Sequence, residues 1–126
     1  MRAIDTNVLL RLVVADDLSQ GARARAFVET GAWISHVVLA EAVWVLQSVY
    51  HRSDQQAGDA IAELLEHGEL TVQDRDVAVT ALERFRAARG VSFSDCLVLE
   101  ISRKAGHSPL GTFDRKLSRI DGAVRI

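Results

Sequence analysis

An α/β fold with a mostly parallel central sheet flanked by helices is the architecture this sequence predicts. Three observations point there: short apolar segments of strand length, helical stretches between them, and glycines or capping residues at the junctions. The 126 residues, with a single proline, fit one compact domain, expected to span 1–126. At 48% hydrophobic, the chain can build one core.

The elements follow in order. Arg2 to Ile4 reads as a strand with Asp5 at its end, and a helix opens near Thr6 with Val8, Leu9, Leu12 and Val13 on one side. A second helix is expected from about Ser19 to Glu29, stopped by Gly31. Ala32 to Ser35 forms the next strand, with Ser35 placed to cap a very apolar helix from His36 to Tyr50. Ser53 and Gln56 have capping-box spacing at the start of a further helix, whose apolar stripe is Ala57, Ala60, Ile61, Leu64 and Leu65. Leu70 to Val72 is a third strand. The helix from about Asp74 to Arg89 buries Ala78, Ala81, Leu82, Phe85 and Ala88 and turns Glu83, Arg84 and Arg86 to water. Ser94 is expected to cap a helix reaching Ala105. Leu110 to Thr112 and Ala123 to Arg125 complete the strands, the first leading to Asp114. The chain contains no internal repeat and no linker.

Composition excludes several classes. A lone cysteine, Cys96, cannot form an internal disulfide and points to a reducing compartment. The apolar run near the N-terminus is broken by Arg11 and followed by Asp16 and Asp17, so it is read as structure rather than as a membrane span or leader. A cytoplasmic protein is expected. Net charge is −2, so bulk electrostatics do not draw nucleic acid, and the thirteen arginines against two lysines follow as readily from codon usage as from phosphate binding.

Four carboxylates stand out. Asp5 and Asp114 follow strand ends, where ligands collect in parallel sheets, and Asp95 lies in the first turn of a helix. Each position also suits simple helix capping. Glu41 differs. Its neighbours three and four residues away are Val37, Val38, Trp44 and Val45, which predicts a carboxylate on a hydrophobic surface, its charged form disfavoured unless a partner is present. Carboxylates gathered in one pocket repel one another, and a hard cation removes the conflict; oxygen ligands select Mg²⁺ or Mn²⁺ over zinc. Such ions activate water and clamp phosphate oxygens, so phosphodiester hydrolysis is the chemistry implied. Zinc-ligand spacing, phosphate-binding glycine loops and the nucleophile-elbow pattern are missing, and Cys96 is assigned to the core.

The opening Ile-Asp-Thr-Asn at 4–7, Glu41 in its apolar helix, Phe-Ser-Asp-Cys-Leu at 93–97 and Gly-Thr-Phe-Asp at 111–114 together resemble the PIN domain over essentially the whole chain. Length and motif order look like the VapC-type toxins of bacterial toxin–antitoxin modules. The resemblance implies a three-layer PIN-like domain and an endoribonuclease using Mg²⁺ or Mn²⁺. Its acidic residues fall on Asp5, Glu41, Asp95 and Asp114. Asp5, Asp95 and Asp114 are the implied metal ligands, with Asn7 and Thr112 in support. It further implies an RNA substrate, a homodimer and a small cognate antitoxin. Arg11, Arg115 and Lys116 follow the strand ends that bear the acids and are the candidate RNA-binding cations. Two other readings stay open at this point: a PIN nuclease of RNA processing without an antitoxin, and a non-catalytic α/β module whose acidic pocket binds a metal or a partner.

Overall fold

The computed structural model describes residues 1–126 in two compact units, Met1–Arg75 and Asp76–Ile126. The first carries β1 (Arg2–Ala3), α1 (Thr6–Val13), α2 (Leu18–Val28), β2 (Ala32–Ile34), α3 (His36–Ser48), α4 (Asp54–Glu66) and β3 (Leu70–Val72). The second carries α5 (Arg75–Ala87, entered from the last residue of the first unit), α6 (Phe93–Lys104), β4 (Leu110–Thr112), a 3₁₀ turn (Leu117–Arg119) and β5 (Ala123–Arg125).

Every strand pairing is parallel, as the alternation of strands and helices requires. In the first unit the order is β1-β2-β3, with Ala3 opposite Trp33 and Ala32 opposite Leu70. In the second, β4 pairs with β5, Leu110 opposite Ala123. The ladders are short, so helices supply most of the buried surface. In the first unit Leu9, Ile34, Leu39, Leu46 and Ile61 are sealed from water. In the second, Phe93, Leu99 and Cys96 are sealed, and the Phe85 and Phe93 rings meet edge to face at 5.9 Å.

Local signals explain the boundaries. Asp5, Asp17, Ser35 and Ser53 cap α1 to α4 by accepting backbone N–H groups, and Ser53 with Gln56 closes a reciprocal capping box. Two expectations need correction. Ser92, not Ser94, caps α6: its Oγ accepts the Asp95 N–H at 3.1 Å, which lets the helix begin at Phe93 and send that ring into the core. Ser94 instead sits inside the first turn, its hydroxyl 3.1 Å from that of Ser92. Arg84 does not simply face water; its Nε lies 3.5 Å from the buried Glu100 carboxylate.

Candidate functional site

Asp5 ends β1 and caps α1, one oxygen accepting the Val8 N–H at 3.0 Å. The carboxylate is exposed, and only that backbone bond restrains it. Next to it α1 and α2 enclose an open cleft of about 360 Å³ lined by Asp5, Asn7, Arg11, Gln20, Arg23 and Phe27, among others. Asn7 therefore borders the space beside Asp5. Arg11 also borders it, but its guanidinium is engaged: Nε donates to Gln20 at 2.6 Å and Nη1 to Asp16 at 2.8 Å. Tyr50 donates its hydroxyl to the other Asp16 oxygen at 2.6 Å. That hydrogen bond first, and then the Arg11 charge, hold Asp16 below the usual carboxylate range. Asp16 is thus a structural anion that orients Arg11.

Glu41 corrects the expectation built on its neighbours. The core side of α3 is His36, Leu39, Ala42, Val43 and Leu46, which turns Glu41 outward into solvent. It does lie on an apolar surface, since Val37 is 75% and Trp44 66% exposed on the same side. That surface is uncovered, and the carboxylate stands in water beside it.

In the second unit Asp114 is held by a compact turn. The Asp114 N–H donates to Thr112 Oγ1 at 3.0 Å, and one Asp114 oxygen accepts the N–H groups of Lys116 and Leu117 at 2.8 and 3.0 Å. The Thr112 hydroxyl thus holds the Asp114 backbone. Asp95, half-buried, is fixed at the third position of α6 by the Ser92 cap. Phe113, between Thr112 and Asp114, is 80% exposed. Arg115 is exposed, and the Lys116 stem crosses Gly90; a Cβ there would lie 2.5 Å from Nζ. The Lys116 end is free to move, so it is the left-handed backbone of Gly90, φ +80, that favours glycine here.

One ion-pair centre escaped sequence reasoning. Glu100 on α6 is buried, with a side chain only 5% exposed. It accepts from Arg103 Nε at 3.2 Å and faces Arg84 Nε at 3.5 Å. Arg103 also donates to the Asp121 carbonyl at 2.6 Å, tying α6 to the turn before β5. The signal was the i,i+3 spacing of Glu100 and Arg103. Cys96 is fully buried; loss of solvent first, then the charges of Asp95 and Glu100, push its thiol up to about 11. A thiol so strongly protonated is no nucleophile.

Asp5 and Glu41 stand in the first unit, Asp95 and Asp114 in the second. None of the four is paired with a basic side chain, in contrast to Asp16, Glu66, Asp76 and Glu100. Within neither unit do three or more His, Cys, Asp or Glu side chains gather as a metal site.

The PIN-domain family model matches residues 3–123. The chain belongs to the PIN-domain family. PIN proteins are nucleases that act on RNA and generally use divalent metal ions. Among solved structures, VapC20 of Mycobacterium tuberculosis, described as a Sarcin-Ricin loop cleaving toxin, is similar at 24% identity. That match covers 94% of this chain and 93% of that one, with a TM-score of 0.45. No curated protein matches the chain significantly. No helix of this PIN protein is long and apolar enough to cross a membrane.

Proposed function

We propose that this PIN protein is a Mg²⁺- or Mn²⁺-dependent endoribonuclease, the toxin of a type II toxin–antitoxin module. Asp5, Glu41, Asp95 and Asp114 are its catalytic carboxylates. The observation that carries the reading is that these four acids, at strand ends and on helices within a family match spanning both units, are committed to no basic partner. We read 1–126 as one PIN domain on the same ground, and place it in the cytoplasm.

The donor set fits a hard divalent ion. Asp5 and Asp114 each spend one oxygen on backbone N–H groups and keep the other, while Asp95 carries no side-chain bond. These three would hold the metal, which when bound supplies an activated water and charge neutralisation for the phosphate. The Lys116 and Leu117 N–H groups fix the Asp114 carboxylate before any ligand arrives, which lowers the cost of binding there, whereas the Ser92 cap fixes only the Asp95 backbone. Glu41, exposed and unpaired on α3, is the fourth acid of the reading. Asn7 borders the Asp5 cleft and offers it an amide. Arg115 and Lys116 are the cations assigned to the RNA backbone, with Arg11 as a fixed wall. The reading includes a homodimer and a small cognate antitoxin; the uncovered Val37 and Trp44 on α3 support a protein contact there.

Cleavage of single-stranded RNA, followed with and without EDTA, tests the assignment. Activity should require Mg²⁺ or Mn²⁺, and Asp95→Asn should lose most of it while keeping the wild-type circular dichroism spectrum. Undiminished cleavage by Asp95→Asn in EDTA would falsify the metal-site reading.

A further inference from the structure

Helix α2 turns Gln20, Arg23 and Phe27 towards the cleft beside Asp5, three residues on one helical stripe. Arg11 bonds Gln20, so the end of α1 faces the start of α2, and the Asp5 end of α1 faces the Phe27 end of α2. Arg11 and Gln20 are spent on each other and on Asp16. Arg23 is not: it is exposed and bonds no other residue. Phe27, 36% exposed, borders the cleft and is backed by Arg2, whose guanidinium carbon stands 3.8 Å from the ring centroid. Arg2 is in turn pinned, donating to the Phe27 carbonyl at 2.7 Å and to Thr30 Oγ1 at 3.4 Å. The ring is therefore clamped in place without filling the cleft.

We propose that this cleft is a subsite for one unpaired nucleotide of the RNA, its base stacked on Phe27 and its phosphate met by Arg23, next to Asp5. The proposal rests on the ribonuclease reading. Unpaired bases are recognised by aromatic faces paired with cations on the backbone, and both are present here. The volume, about 360 Å³, lies at the small-ligand end of binding pockets and suits one nucleotide, not a duplex. A ring already held by Arg2 loses little freedom when a base arrives. An apolar protein segment in the same cleft would cover Arg23 without giving it an acceptor, which is costly.

The test uses the full chain carrying Asp95→Asn, so that binding is measured without turnover. Fluorescence anisotropy follows a labelled single-stranded RNA and a set in which one base at a time is removed. Loss of the base at one position should weaken binding about tenfold, and Phe27→Leu should weaken the intact RNA about as much while becoming indifferent to that loss. Arg23→Gln, a surface change that spares the fold, should weaken binding and reduce its salt slope by about one. Both variants binding like their parent, with the same base dependence, would overturn the subsite. If the wild type cleaves RNA in that case, the subsite alone has failed. If the wild type neither binds nor cleaves RNA, the ribonuclease reading has failed with it.

Discussion

Replacing Arg103 by Met removes the closer of two guanidinium groups facing Glu100 and keeps most of the aliphatic stem. Glu100 is then left in the interior with only Arg84, at 3.5 Å and without hydrogen-bond geometry. Stripping a partner from a buried charge costs about 3–5 kcal/mol; Arg103 is 36% exposed and Arg84 stays, so about 2–3 kcal/mol is expected, part of it from the lost bond to the Asp121 carbonyl. Glu100→Gln is the informative contrast. It keeps the shape, and the arginines left behind, 39% and 36% exposed, can turn to water, so its cost should be only about 1 kcal/mol. The double variant Glu100→Gln/Arg103→Met should be more stable than Arg103→Met alone, because no charge is stranded. Urea unfolding of the four proteins, with slopes compared to check that the denatured states match, measures all three values. A Glu100→Gln protein as unstable as Arg103→Met would refute the reasoning, showing that the carboxylate charge, rather than its isolation, carries the energy.

Two further outcomes follow from single positions. Gly21→Ala should stabilise the protein by about 0.5–1 kcal/mol through helix propensity, raising Tm. The new Cβ would meet only the Arg11 carbonyl at 3.6 Å and the mobile end of Arg25 at 3.3 Å, and a lower Tm would show that α1 and α2 have no room to spare. Cys96 should make the protein alkali-sensitive. Below about pH 9 the thiol is neutral in folded and unfolded chains alike; above that the unfolded thiol ionises while the buried one keeps its proton up to about 11, so stability falls across that window. Comparing wild type with Cys96→Ala from about pH 8 to about pH 10.5 should show the gap closing as wild type loses up to about 2 kcal/mol. An unchanged gap would contradict it.

Much of the fold was legible because its signals are local. The strands at 70–72, 110–112 and 123–125 run as the sequence predicts, and Gly31, Gly90 and Gly106 adopt the left-handed backbone expected where helices stop. Tertiary choices were not. Helix α3 is apolar on both sides, so periodicity could not say that Leu39, Val43 and Leu46 face inward while Val37 and Trp44 face out. That ambiguity left the exposure of Glu41 undecided, whereas the buried glutamate is Glu100, on a helix with a clearer polar side. The Asp114 turn was not legible, because the bonds from Lys116 and Leu117 depend on the chain's curl. The Arg2–Phe27 stack joins residues 25 apart in sequence, which no local pattern announces.

The three ladders differ in how much chain each must gather. Leu110 meets Ala123 after 13 residues, whereas Ala3 meets Trp33 after 30 and Ala32 meets Leu70 after 38. Treated as flexible loops, the longer closures cost about 1 kcal/mol more in chain entropy than the short one. Of the three ladders, the β4–β5 pairing is thus the cheapest to close from the unfolded chain. The turn that orients Asp114 lies inside that 13-residue loop, so the local setting of this acid can be assembled early, before the crossovers around Asp5 have closed.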